Sequence, residues 1–162
     1  MASGVNSKHA KEVFRVEQLD PTSRIVNATA STLTVTKLSH DQKIVTLNRA
    51  AGIAVTLPAA TGSGNWFRFY VGTTVTSNTT TIKVVGDDTM SGLALSAADS
   101  GASVNGWETA SDTDTITFDG TTTGGILGDF VELIDVAADK WHVRVQSSST
   151  GSEATPFSAT VS

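Results

Sequence analysis

Apolar and polar residues alternate along most of this chain with the period of a half-buried strand. Thr32-Leu33-Thr34-Val35-Thr36 sets Leu33 and Val35 on one face and hydroxyls on the other. Ile44-Val45-Thr46-Leu47 and Ile53-Ala54-Val55-Thr56-Leu57 follow, joined by a short linker around Gly52. That spacing predicts a hairpin with Val45, Leu47, Val55 and Leu57 all facing the core, and Pro58 ends its second strand. Trp66-Phe67-Arg68-Phe69-Tyr70-Val71 is the most aromatic strand and is expected at the centre of a sheet. Phe67, Phe69 and Val71 share one face, and Trp66, Arg68 and Tyr70 the other. Thr80 to Val85 and Thr115 to Phe118 read as further strands, the first ended by the turn Gly86-Asp87-Asp88. Between them, residues 89–113 read as a long excursion with a short helix near Ala97-Ala98. Asp129–Val136 and Trp141–Val145 flank a hairpin-length loop, Ala137-Ala138-Asp139-Lys140. Trp141, Val143 and Val145 face one way; His142, Arg144 and Gln146 face the other.

No long amphipathic helix can be written anywhere. The expected fold is all-β, a single small β-sandwich or partly closed barrel with an extended N-terminal arm and a short C-terminal tail. Its expected parts are an arm over 1–30, a β domain over 31–146 and a tail over 147–162, the tail carrying one apolar point at Phe157. The aromatic strand changes this picture most. An exposed Trp/Tyr patch is unusual on a monomer, so Trp66, Arg68 and Tyr70 are expected to meet a second subunit.

Composition agrees with the strand reading and removes several alternatives. The chain has 162 residues, about a quarter of them Thr or Ser, and no Cys. Disulfide scaffolds and Cys-based zinc sites are therefore excluded. No apolar run approaches the ~20 residues of a membrane-spanning helix, and no membrane partner is expected. The opening Met-Ala-Ser-Gly-Val-Asn-Ser-Lys-His is polar and no apolar stretch follows it, so no secretion signal is expected. The lack of Cys fits assembly in a reducing cytoplasm.

The net charge of −5 is unevenly spread. Residues 1–50 carry seven basic and four acidic groups (+3), and residues 51–162 carry four basic and twelve acidic groups (−8). An acidic body repels phosphate backbones, so nucleic acid is not an expected partner. A weakly basic N-terminal base that attaches, with an acidic body left in water, is the reading this asymmetry supports. Lys8, Lys11, Val13, Phe14, Arg15, Val16 and Arg24 are its candidate attachment residues.

Candidate chemistry is sparse. There is no Gly-x-Ser-x-Gly elbow, and the three His (His9, His40, His142) stand apart in sequence. Gly62-Ser63-Gly64 lacks the Lys and following helix of a phosphate loop. Asp112, Asp114 and Asp119 are spaced loosely like a calcium loop, but a strand separates Asp114 from Asp119 and no closing Glu follows. Two acidic turns at the ends of one strand are the simpler reading, as is a turn at Asp87-Asp88. No catalytic residue, cofactor, metal or small-molecule substrate is expected.

Three segments carry a resemblance. They are Gly-Ile-Ala-Val-Thr-Leu-Pro-Ala-Ala-Thr-Gly-Ser-Gly (52–64), Thr-Ile-Lys-Val-Val-Gly-Asp-Asp-Thr-Met-Ser-Gly (81–92), and the run from Ile116 to Val143 with its Phe-Asp-Gly, Gly-Asp-Phe-Val-Glu-Leu-Ile-Asp-Val and Lys-Trp-His-Val blocks. Together they resemble structural proteins of tailed-bacteriophage virions, in particular the small head-decoration or cement proteins, over roughly residues 52–145. The resemblance implies a non-enzymatic β-rich homotrimer on the outer capsid surface, binding the major capsid protein and stabilising the head by bridging capsomers. It implies assembly in the bacterial host cytoplasm. The alternative is a tail-fibre or spike module that binds a host surface glycan, against which stands the lack of a sequence repeat or heptad to build a stalk.

Overall fold

The computed structural model describes residues 24–99 and 102–160. Their strands are β1 (Ile25–Ala28), β2 (Thr32–Thr34), β3 (Ile44–Leu47), β4 (Ala54–Thr56), β5 (Trp66–Val71), β6 (Thr80–Lys83), β7 (Thr89–Ala97), β8 (Val104–Glu108), β9 (Thr115–Phe118), β10 (Phe130–Ala137), β11 (Lys140–Ser148) and β12 (Phe157–Ser158). One short helix, α1 (Lys37–His40), follows β2 and is capped by Thr36, whose hydroxyl accepts from the Ser39 N–H. A seven-stranded sheet has the order β1-β3-β5-β10-β11-β7-β8, and a five-stranded sheet the order β12-β9-β6-β4-β2. The two pack face to face as an all-β sandwich, as expected from the alternation.

The first six strands form a coil. β1, β3 and β5 are parallel neighbours in the larger sheet. β2, β4 and β6 are parallel neighbours in the smaller one. The chain thus crosses between the sheets after every strand and stacks each turn on the last. Antiparallel strands complete the sandwich: β10 and β11 join β5, the β7–β8 hairpin adds to β11 through a parallel pairing, and β9 and β12 extend the smaller sheet from β6.

The expected hairpin of residues 44–47 with 53–57 does not form. Its two strands lie in opposite sheets, and Val45 and Leu47 meet Val55 and Leu57 across the core instead of along a ladder. Period-two alternation is the same for both arrangements; the connection decides. Gly52 carries the chain over at a φ of 73°, and a Cβ there would collide with the Thr79 carbonyl. The excursion expected over 89–113 is instead the β7–β8 hairpin, and Ala97 ends a strand and not a helix. Met90 and Ala94 point inward from β7, with Trp107 of β8 packed beside them. Nor is the arm confined to an arm: Ile25–Ala28 is an edge strand. The tail is likewise tied down. Ser147 and Ser148 end β11, and Phe157, buried, pairs with Ile116.

The core is built from the inward residues of both sheets. Phe67, Phe69, Leu133, Trp141 and Val143 come from the larger sheet, and Val55, Ile82, Ile116 and Phe118 from the smaller. Phe67 and Trp141 stack tilted, with centroids 5.8 Å apart. The Trp141 indole N–H donates to Asp88 at 3.3 Å, which satisfies its one polar atom. The β10–β11 turn is tighter than expected: Ala137 pairs with Lys140, leaving Ala138 and Asp139, the latter at a φ of 59°.

Candidate functional site

Alternation leaves every second residue of the seven-stranded sheet on its outer face, and register sorts these into rows across the strands. One row runs Glu108, Leu93, Arg144, Glu132, Arg68, Ile44, Ile25. The next runs Gly106, Leu95, Gln146, Phe130, Tyr70, Thr46, Asn27. A shorter third row places Trp66 beside Ile134 and His142. The face thus mixes apolar and aromatic side chains with polar ones, with a strip of alternating charge across its middle.

That strip is pre-ordered. The Arg68 Nε donates to Glu132 Oε2 at 2.7 Å, and its guanidinium lies over the Trp66 ring at 4.2 Å. Arg144 stands on the far side of Glu132 from Arg68. Next to it the face dips into an open depression of about 570 Å³ lined by Leu93, Leu95, Phe130, His142, Arg144 and Gln146. Ile25, Leu93, Leu95 and Val104, four of the seven large hydrophobics most exposed to water among the described residues, belong to this face. These outward apolar side chains contribute nothing to the core, so the core does not account for them.

Trp66, Arg68 and Tyr70, expected together from sequence, are half-buried neighbours on this face. Of the attachment residues, Arg24 is exposed and immediately precedes β1. Lys8, Lys11, Val13, Phe14, Arg15 and Val16 lie outside the described residues. The sequence reading did not single out Phe130, Glu132 and Ile134, or Leu93 and Leu95. The first three were legible as the alternate positions of β10. The leucines were not, because residues 89–113 read from sequence as a long excursion with a short helix.

The buried carboxylates serve the backbone. Asp135 accepts from the Thr61 and Gly62 N–H groups (2.8 and 2.6 Å), from the Ser63 hydroxyl (2.6 Å) and from Lys37 Nζ (3.5 Å). Burial by itself would raise its pKa, but these donors hold it well below the usual carboxylate range. Asp88 accepts from the Ala60 N–H as well as from Trp141. Asp129 takes the Gly125, Ile126 and Ser148 N–H groups, yet burial keeps its pKa raised. Asp114 and Asp119 sit at opposite ends of β9. Asp114 accepts from Thr115 and from the Thr160 N–H, and Asp119 from Thr121, Thr122 and Thr123. Asp119 and Asp129 thus tie down their own loops, while Asp88, Asp114 and Asp135 fasten segments distant in sequence. Among the described residues no three His, Asp or Glu side chains gather as they would round a metal ion.

Asp119 gives an acid-sensitivity test. Burial pulls its pKa up, but the threonine donors bring it down to about 2, below its unfolded value of 3.8. Its contribution is complete above pH 3.8 and is lost as pH falls toward 2. Asp135 acts in the same sense. Asp129, raised, acts in the opposite one: its contribution is present below the unfolded value and lost as pH rises through the folded one. Urea unfolding between pH 5 and pH 2 is expected to show stability falling below about pH 4. Asp119→Asn should flatten that slope, and an unchanged slope would contradict the assignment.

His40 is buried in α1 with its Nδ1 against Thr36, 3.0 Å from the Thr36 amide nitrogen, and burial lowers its pKa. His142 lies on the outer face, with Ser91 the neighbouring residue on β7. No helix among the described residues is long and apolar enough to cross a membrane. Comparison with protein-family models, with curated proteins and with solved structures found no match to the chain.

Proposed function

We propose that the chain is a non-enzymatic capsid decoration, or cement, protein of a tailed bacteriophage. It forms a homo-oligomer, a trimer by the resemblance, on the outer surface of the head and holds neighbouring copies of the major capsid protein together. The observation that carries this reading is the outer face of the seven-stranded sheet, built from strands throughout and bearing Trp66, Tyr70, Phe130, Leu93 and Leu95 around an ordered Arg68–Glu132 pair. Aromatic and Arg anchors on a rigid sheet suit a static protein contact, since little side-chain entropy is left to lose on docking. The N-terminal segment, with Lys8, Lys11, Arg15 and Arg24, supplies a basic attachment, while the acidic body remains toward water. Repetition over a shell multiplies modest contacts into lasting attachment.

Stoichiometry tests this. Quantitative mass spectrometry of purified virions of the encoding phage should find the chain in numbers comparable to capsomers. A few copies per particle would instead indicate the tail-fibre or spike alternative, and none would contradict a place in the virion.

A further inference from the structure

β7 carries two exposed leucines between two unpaired charges. Its outward residues are Ser91, Leu93, Leu95 and Ala97, all exposed, with Leu93 at 49% and Leu95 at 45%. Register puts Glu108 of β8 on one side of Leu93 and Arg144 of β11 on the other. Among the described residues neither charge has an ion pair or a side-chain hydrogen bond. Glu132, the ladder partner of Arg144 on β10, is held instead by Arg68 at 2.7 Å. One row along, Leu95 stands between Gly106 and Gln146. The depression of the outer face adjoins this stripe. Leu93 and Leu95 form one wall, Phe130 and Glu132 the other, and β11 the floor between them.

β7 has β8 as one neighbour and β11 as the other. Consider two copies packed face to face, related by a half-turn about an axis that runs along β7 between them. That operation exchanges β8 with β11. Leu93 meets Leu93 and Leu95 meets Leu95 on the axis. Glu108 of each copy stands opposite Arg144 of the other, and Gly106 opposite Gln146. The charges match twice by symmetry. β8 of one copy then lies over β11 of the other and enters the depression, where Gly106, with no side chain, lets the strand approach closely.

We infer that the β8–β7–β11 part of the outer face binds a second copy of this chain across that two-fold axis, each Glu108 pairing with the other copy's Arg144. The alternatives fit worse. An axis across the strands lays β11 on β11 and β8 on β8, which brings like charges together. An axis moved between β11 and β10 sets Arg144 against Glu132, a carboxylate already held by Arg68, and lays Leu93 on Arg68. Covering Arg144 without a carboxylate partner would be costly, so the two ion pairs fix the register of the contact. The contact is three strands wide and leaves Trp66 and Tyr70 of β5 uncovered for the docking proposed above. It rests on that reading only in taking the chain to be a homo-oligomer, and any three-fold contact then uses other surfaces.

Charge reversal tests this on the purified full chain, with light scattering across a concentration series. Arg144→Glu and Glu108→Arg each oppose like charges at both symmetric sites. Each alone should raise the dissociation constant of the pair roughly 10-fold or more. The double variant Glu108→Arg/Arg144→Glu exchanges the charges and should restore pairing to within a few-fold of the parent. Leu93→Asp, on the axis itself, should weaken pairing in either charge background. All three positions are exposed, so thermal midpoints should stay within a few degrees of the parent, separating loss of contact from loss of fold. Self-association unchanged by either reversal, or a double variant no better than the singles, would overturn this contact and leave the homo-oligomer to another surface. A parent that is monomeric at every concentration would overturn the contact and the proposed homo-oligomer together. Attachment to heads, read separately by co-sedimentation, is decided by neither result.

Discussion

Asp135→Ala is expected to destabilise the fold by about 3–5 kcal/mol. The carboxylate is fully buried and holds the Thr61-Gly62-Ser63 loop against the end of β10. Alanine leaves the Thr61 and Gly62 N–H groups without their acceptor, at about 1–3 kcal/mol each, and strands Lys37 beside the gap. In a chain of this size that amounts to a fall of roughly 10 °C in the thermal midpoint. Asp135→Asn keeps one acceptor oxygen and should lose about half as much. Asp87→Ala, an exposed neighbour of buried Asp88, should stay within about 0.5 kcal/mol. Calorimetry of the three variants checks the order, and equal midpoints for Asp135→Ala and Asp87→Ala would contradict it.

The double variant Trp66→Ala/Tyr70→Ala is expected to separate docking from folding. Both side chains are half-buried on the outer face, while their neighbours Phe67 and Phe69 carry the core. The fold should therefore survive with a midpoint within a few degrees of the parent. Docking should not. Aromatic anchors at the middle of an interface typically cost about 2 kcal/mol or more each when truncated. Two of them correspond to a loss of roughly 1,000-fold in affinity. Arg68 would also lose the ring beneath its guanidinium, loosening the pair with Glu132. Light scattering reads self-association and co-sedimentation with heads reads attachment. Unchanged binding in both assays would remove this face from the account.

How far the sequence could be read depended on what alternation does and does not encode. It placed the inward residues correctly in both halves: Val45 and Leu47, Val55 and Leu57, Phe67 and Phe69, Trp141 and Val143 are all buried. It also put Trp66, Arg68 and Tyr70 on one surface. Alternation says nothing about which strand lies beside which, so two strands of opposite sheets, each paired parallel within its own sheet, have the same pattern as a hairpin. The coil stayed hidden because its turns differ in length, 19 residues from Ile25 to Ile44 and 24 from Ile44 to Arg68. β7 was missed for a different reason. Thr89–Ala97 contains Gly92 and alternates small residues inward with leucines outward, the inverse of the usual pattern. Those same outward leucines lie on the face that carries Trp66, Arg68 and Tyr70, so the missed strand also hid part of that face.

The measurement that bears most directly on the proposed function is a cryo-electron microscopy map of the encoding phage's virion. Density for this sandwich should repeat over the outer head, with Trp66, Tyr70 and Phe130 buried in its contacts and the acidic body toward solvent. A head without it, or a map in which the outer face of the seven-stranded sheet touches nothing but water, would contradict the account.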